Sequence, residues 1–211
     1  MIGMRSGLVR RVLVLMILLA VSLAAAGSAG PLPVKNGKAQ VEGEDGLILN
    51  LGTAQKPKYY RLARVSAPEG WKLTGTDANY DDNETYPIFE STEERYEAMQ
   101  CAVIAVKGEY DALPEQTAEL MAQYFDGEAS SIFEARFADR PCLYYWFIAA
   151  DSKSSSAGTG IQFINAYFPA NIEGTCIALN AQMPCDVDCA LSQDEVLRVI
   201  EAFAGAISLD S

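Results

Sequence analysis

The sequence predicts an α+β fold, in which a mostly antiparallel β-sheet is flanked by two main helices. Two observations support it: short apolar segments recur along the chain with connections short enough for hairpins, and two further segments have helical periodicity. Strands joined by hairpins run antiparallel. The helices then cover one face each, as an α/β/α sandwich, or both cover the same face.

Eight segments are predicted as strands. The stretch at 98–106 is too apolar to alternate, which indicates an inner strand covered on both faces. We expect turns around Pro57, at Arg140-Pro141 and at 171–174, and exposed loops at 75–83 and 151–160. The predicted strands are 47–51, 59–65, 86–90, 98–106, 132–137, 143–149, 161–168 and 176–183.

Two helices are predicted, one in the middle of the chain and one near its end. The first begins at Pro114 and ends before Asp126-Gly127, with Thr117, Leu120, Met121 and Tyr124 on one face. The second follows Ser192, which forms a capping box with Glu195. Its apolar stripe consists of Val196, Val199, Ile200, Phe203 and Ile207.

Residues 1–29 have the features of a secretory signal peptide. Arg10 and Arg11 precede an apolar run at 12–26, and small residues follow. The run is long for a signal peptide and short of the roughly 20 residues that span a bilayer. We expect cleavage near residues 26–29, a secreted or extracytoplasmic protein, and no stable membrane insertion afterwards; retention as an anchor is the alternative.

The predicted mature chain is strongly acidic. Residues 1–29 contain three arginines and no acid, so cleavage leaves 13 basic against 28 acidic residues, a net charge of −15 instead of −12. Residues 30–45 lack hydrophobic periodicity and are predicted to be a flexible N-terminal segment. Residues 46–211 are long enough for a single α+β domain.

The turn after the second predicted strand reads Ala67-Pro68-Glu69-Gly70-Trp71. With the element order and the terminal helix, it resembles the PsbP-like superfamily, over roughly residues 46–209. That superfamily includes the photosystem II extrinsic protein, a Ran-binding nuclear import factor and bacterial exported proteins. The resemblance implies the fold and a function in binding other macromolecules; no ligand-binding residue of the family can be matched to a position here.

Composition excludes several functions. The chain has no histidine, so it has no Ser-His-Asp or Cys-His catalytic pair. Its excess of acidic residues argues against nucleic-acid binding, because a protein surface that binds the phosphates requires clustered Lys and Arg. We predict a non-enzymatic binding domain with no catalytic residue and no cofactor, whose partner is a protein or a cell surface; the acidity favours a cationic one. An enzyme that uses carboxylates or a thiol is an alternative.

A second alternative is a calcium-binding protein. Oxygen ligands at alternate positions of the 77–84 segment match what calcium requires, but an EF-hand would need Gly and Glu where Asp82 and Ile88 stand. The competing interpretation is a solvated acidic loop. The candidate ligands are Asp77, Asn79, Asp81, Asp82 and Glu84.

Five cysteines all follow the leader, where an oxidising compartment favours disulfides. Cys101 lies in an apolar strand and is predicted to be a buried thiol. The disulfide candidates are Cys142, Cys176, Cys185 and Cys189, with the pairing left open. The loop from Cys185 to Cys189 could close on itself or bind to a strand; a redox-active pair is the alternative.

Four consecutive aromatic residues, 144–147, lie in one predicted strand. Neighbouring side chains of a strand point to opposite faces, so we expect these rings to fill the core on both sides of the sheet. A binding platform for a sugar or nucleotide is the alternative.

Overall fold

The structure is a computed structural model that describes residues 31–35, 38–39, 46–53, 55–79, 84–96, 98–150, 159–186 and 190–209. The predicted leader at 1–29, most of the loop predicted at 151–160, and Cys189 lie outside the described residues. No helix in the described part is long and apolar enough to cross a membrane.

Thirteen strands and two α-helices make up the described chain, with a short 3-10 helix at Glu94–Tyr96. The first seven strands are β1 (Val34–Lys35), β2 (Lys38–Ala39), β3 (Gly46–Asn50), β4 (Tyr59–Val65), β5 (Trp71–Asn79), β6 (Glu84–Ser91) and β7 (Gln100–Lys107). Then come α1 (Leu113–Tyr124), β8 (Gly127–Ala129), β9 (Phe133–Phe137), β10 (Arg140–Ala150), β11 (Thr159–Pro169), β12 (Thr175–Asp186), α2 (Gln193–Ala206) and β13 (Ile207–Leu209).

One antiparallel sheet contains every described strand except β1 and β2. Its order is β13-β4-β3-β6-β7-β12-β11-β10-β8, with β5 paired to β6 and β9 paired to β10. Each described pair is antiparallel, as the hairpin connections predict. The predicted α+β class is confirmed.

The two helices lie on opposite faces of this sheet, which is the α/β/α arrangement. Val199, Ile200 and Phe203 of α2 belong to one buried cluster with Leu47 and Val103. On the other face, a separate cluster gathers Leu113 and Met121 of α1 with strand residues of β7, β10, β11 and β12. The inner strand predicted at 98–106 is β7, which is buried from Cys101 to Val106.

The C-terminal helix begins with the predicted capping box. One carboxylate oxygen of Glu195 accepts hydrogen bonds from the amide and the hydroxyl of Ser192, both at 2.8 Å. Glu195 also forms an ion pair with Arg95 of the 3-10 helix. The predicted apolar stripe is buried, although its last member, Ile207, begins β13 instead of ending the helix.

The turn that carries the PsbP-like resemblance is a tight β-turn. The amide of Trp71 donates to the carbonyl of Pro68 at 3.1 Å, and Gly70 between them has φ 79°. A type II turn requires positive φ at this position, which favours glycine. The turn directs Trp71 into the core, where its ring lies 4.8 Å from that of Phe203 in edge-on contact.

Two local predictions are wrong. Residues 75–79 are not a loop but the end of β5, because they pair with residues 84–88 of β6. The β9–β10 turn is Ala138-Asp139, with φ 47° and 63°, and not Arg140-Pro141. Arg140 instead binds the carbonyls of Ala204 and Ile207 at the end of α2. Within the segment predicted to be flexible, β1 pairs with β2.

Candidate functional site

A strongly acidic surface surrounds α1. Between Lys107 and Arg136 the sequence has seven acidic residues and no basic residue. All seven side chains are exposed. We call this surface the acidic face: Glu109, Asp111, Glu115, Glu119, Asp126, Glu128 and Glu134.

An exposed aromatic ring lies at the C-terminal end of α1, within the acidic face. Tyr124 is 63% exposed, whereas the sequence predicted it on the buried side with Thr117 and Met121. The helix ends there, and the next residue, Phe125, is extended and packs 5.4 Å from the ring of Phe163. Phe125 therefore takes the core position, and Tyr124 remains on the surface among the carboxylates.

A buried polar contact holds α1 against the sheet. The hydroxyl oxygen of Thr117 lies 2.5 Å from the hydroxyl of Tyr167 and 3.1 Å from that of Tyr145. The same hydroxyl is within 2.9 Å of the carbonyl of Leu113. The phenol of Tyr145 donates to this hydroxyl, and in the pair with Tyr167 either hydroxyl can be the donor.

Buried amides extend this polar contact across the neighbouring strands. Asn165 donates to the sulfur of Met121 at 3.7 Å and accepts from Asn180 at 2.8 Å, and Gln182 donates to Asn180 at 3.1 Å. Burial raises the pKa of Tyr145 to about 12. Its phenol is therefore neutral at physiological pH, and the network positions α1 without offering an acid or base.

The aromatic run is divided between the two faces, as predicted. Tyr145 and Phe147 are buried on the α1 side, whereas Tyr144 belongs to the α2 cluster and Trp146 packs against it. Phe133 stacks on Trp146 with centroids 5.2 Å apart, and on Tyr144 at 5.4 Å. The core interpretation is confirmed for three rings, while Trp146 is half-buried at the sheet edge.

The structure corrects the disulfide prediction for two cysteines. Cys142 and Cys176 are free buried thiols, as is Cys101, which was predicted to be one. Cys142 lies in the α2 cluster and Cys176 in the α1 cluster, so the sheet separates them. The side chain of Cys185 and all of Cys189 lie outside the described residues, and their bridge stays a prediction.

Burial determines how these thiols ionise. It raises the pKa of Cys142 and of Cys176 to about 12, and also raises that of Cys101. A thiol whose pKa is raised by folding favours the folded state below its unfolded pKa of about 8.5. That stability is lost as the pH rises from about 9 toward 12.

We therefore expect the three thiols to be unreactive in the native protein. Alkylation at pH 8, followed by mass spectrometry, will label Cys101, Cys142 and Cys176 in urea but far more slowly in buffer. The free energy of unfolding measured by urea titration will fall between pH 9 and pH 11. Rapid native labelling of Cys142 or Cys176 would contradict the described burial.

The predicted calcium ligands are only partly described. Asp77 and Asn79 lie in β5 and Glu84 begins β6, while Asp81 and Asp82 lie outside the described residues. Asn79 is paired directly with Glu84, and Asp77 is two residues from Asn79. These three positions therefore share one face of the hairpin. Among the described residues, this hairpin included, no group of three or more His, Cys, Asp or Glu side chains that could hold a metal ion occurs.

The basis of the acidic face was available in the sequence as a run of 28 residues, 108–135, without Lys or Arg. Total charge alone does not reveal it, because only the position of α1 at one end of the sheet gathers these residues on one surface. The predicted helix end before Asp126 is within one residue of the observed end at Tyr124. The periodicity nevertheless placed Tyr124 on the buried side, because it did not show that Phe125 takes the core position.

Comparisons with known proteins give similarity of fold alone. No family profile and no curated protein matches the chain. A crystal structure of LpqN, involved in cell envelope biogenesis of Mycobacterium tuberculosis, is 10% identical with a TM-score of 0.38, covering 71% of this chain and 83% of that one. The solution structure of cyanobacterial PsbP from Synechocystis sp. PCC 6803 is 12% identical with a TM-score of 0.37, covering 86% and 100%. A PsbP is thus among the similar structures, as the sequence resemblance predicts, and at these TM-scores neither similarity supports a functional argument.

Proposed function

We propose that this chain is an exported, non-enzymatic domain that binds a cationic protein or cell-surface partner through the acidic face. The observation that carries the proposal is the run of seven exposed carboxylates around α1 without an intervening base. Such a surface attracts cationic partners over a distance set by the ionic strength. Export rests on the predicted leader.

Tyr124 adds an aromatic contact to the electrostatic attraction of the carboxylates. Its ring is 63% exposed, and Asp126 and Glu128 lie two and four residues further along the sequence. A lysine or arginine side chain that approaches these carboxylates can also lie over the ring, and such cation–π contacts contribute roughly 0.5–1 kcal/mol at exposed sites. Aromatic residues of this type are often the centres of binding energy in interfaces.

The surface is also rigid enough to bind without rearrangement. α1 is fixed by the Thr117 hydroxyl contacts and by burial of Leu113 and Met121, both 2% exposed. This domain therefore loses little conformational entropy when a partner binds.

We expect charge removal on α1 to weaken binding of a basic peptide. Glu115→Gln/Glu119→Gln removes two exposed carboxylates one helical turn apart, and should lower the affinity for a decalysine probe about fivefold at low salt. Tyr124→Ser should lower it about threefold. Calorimetric titration of each variant measures both effects, and 0.5 M salt should abolish most of the binding.

A matched control separates this surface from net charge. Glu94→Gln/Glu201→Gln removes the same number of charges from exposed positions on the 3-10 helix and on α2, outside the acidic face. Its affinity for decalysine should stay within twofold of the wild type. Equal losses in both double variants would show that only total charge matters, and the proposal would then be abandoned.

A second candidate function is calcium binding at the β5–β6 hairpin. It is favoured by the register, which puts the positions of Asp77, Asn79 and Glu84 on one face. Hard cations prefer such oxygen ligands. Calorimetric titration with calcium should give heat that Asp77→Asn/Glu84→Gln removes. No heat at millimolar calcium would end this candidate.

A further inference from the structure

The strand that follows α1 is an open edge of the sheet within the acidic face. In the described chain β8 pairs with β10 alone, and its three residues, Gly127–Ala129, are all exposed. An edge strand presents outward-facing N–H and C=O groups to which a further strand can bind. Main-chain hydrogen bonds then supply affinity, and the side chains of the edge supply specificity.

The register shows which backbone groups of β8 face outward. The amide of Ser130 donates to the carbonyl of Trp146 at 2.8 Å, and the amide of Trp146 donates to the hydroxyl of Ser130 at 3.0 Å. Hydrogen-bonded and non-hydrogen-bonded pairs alternate along an antiparallel ladder. Glu128, two residues before Ser130, therefore bonds to β10, whereas the N–H and C=O groups of Gly127 and Ala129 point away from it.

The side chains of β8 alternate between small and acidic. Pairing with β10 places Gly127 and Ala129 on the face of the sheet that α1 covers, and Glu128 on the opposite face. A side chain at position 127 would collide with the carbonyl of Ile148, so the close approach of β8 to β10 requires glycine. A strand added at this edge would therefore meet a carboxylate at one position and small side chains at the positions before and after it.

The charge along this edge favours a cationic occupant. Residues 125–135 contain three acidic residues and no basic residue. The next base, Arg136, pairs with Pro141, which is seven residues along β10 from the Ile148 that Glu128 faces (141 to 148). At about 3.3 Å per residue the two pairs are roughly 23 Å apart, well beyond the Debye length of about 8 Å at physiological salt. Arg136 therefore does not neutralise β8.

A second copy of this chain is a poor occupant of the same edge. If two β8 strands paired along their three residues, Glu128 would lie directly opposite its own counterpart. Like charges directly opposite each other destabilise a strand pair, whereas opposite charges stabilise it. The edge is therefore protected against self-association and remains open to a strand with Lys or Arg at this position.

We infer that the cationic partner of the acidic face binds as an extended segment that adds to β8 as an antiparallel strand, with a basic residue opposite Glu128. The antiparallel direction continues the pairing of the whole described sheet and is the more stable of the two. The inference rests on the proposed function, because the acidic face attracts the same partner. It adds the conformation and the register in which that partner binds.

Backbone methylation of a peptide tests the register on the full chain. The probe is a decapeptide of alternating Lys and Thr, titrated by calorimetry at low salt. With Lys opposite Glu128, the Thr residues lie opposite Gly127 and Ala129 and direct their N–H groups at β8. We expect N-methylation of every threonine to lower the affinity about tenfold, and N-methylation of every lysine, whose N–H groups point away, to lower it less than twofold. If methylation of threonine weakens binding no more than methylation of lysine, the inference is wrong.

Variants of β8 provide the reciprocal test. Ala129→Pro removes an outward N–H without breaking a bond to β10, and should lower the affinity for the unmodified peptide about fivefold. Ala129→Ser keeps that N–H and should stay within twofold of the wild type. Glu128→Gln should lower the affinity about threefold. Equal affinities of the Pro and Ser variants would contradict an added strand.

Failure of this inference can be distinguished from failure of the proposed function. If Glu115→Gln/Glu119→Gln weakens decalysine binding while the two methylated peptides bind equally, the acidic face attracts its partner by charge alone and β8 adds no strand. If neither decalysine nor the Lys-Thr peptide binds, the proposed function and the inference both fail. A dimer of the chain that Ala129→Pro dissociates would place a second copy on β8 and would also overturn the inference.

Discussion

Thr117→Val should destabilise the protein by about 1–3 kcal/mol. The substitution keeps the shape of the side chain but removes the oxygen that accepts from the buried phenol of Tyr145 and lies 2.5 Å from that of Tyr167. A buried donor without a partner costs roughly 1–3 kcal/mol. The sulfur of Met121, 3.6 Å from the Tyr145 hydroxyl, is too weak an acceptor to replace threonine.

Urea unfolding of three variants tests the Thr117 contact. Thr117→Ser keeps the hydroxyl and loses a methyl group, so it should cost about 1 kcal/mol. In Thr117→Val/Tyr145→Phe both partners are apolar, and part of the lost stability should return. If Thr117→Val unfolds within 0.5 kcal/mol of the wild type, the phenols have other acceptors and Thr117 does not hold α1.

Phe203→Ala should cost about 3–5 kcal/mol, the largest effect we expect from a single substitution. Phe203 is 0% exposed, and its ring makes edge-on contacts with Trp71 at 4.8 Å and with Phe89 at 5.3 Å. The cavity would open where α2, the Pro68–Trp71 turn and β6 meet, so little of it could collapse.

Thermal and urea unfolding measure this loss, with Tyr124→Ala as the control. Tyr124 is also aromatic and helical but is 63% exposed, so its removal should change stability by no more than about 0.5 kcal/mol. Similar losses in the two variants would mean that α2 does not pack as described. Phe203→Leu, which keeps most of the volume, should cost about 1–2 kcal/mol.

Local sequence signals predicted eight of the thirteen described strands, both helices and the α2 capping box. Alternation in a strand, helical periodicity and a Ser-x-x-Glu cap involve residues within a few positions of each other, so they can be read without knowing the fold. The stripe of α2 and the division of the 144–147 rings between two faces were predicted for this reason. The same signals failed at 75–79, where pairing with β6 overrides a polar composition.

Cysteine pairing and the candidate surface required the tertiary structure. Cys142 and Cys176 are 34 residues apart in the sequence, and only the sheet shows that they face opposite cores. The sequence by itself determined the chemical character of this chain: a predicted leader, no histidine, a strong excess of acid, and the patterns of an antiparallel α+β domain. The tertiary structure decided that the two helices cover opposite faces of one sheet, so that the carboxylates of α1 lie on the face away from α2. That arrangement depends on strand pairing, which non-local hydrogen bonds set and local composition does not.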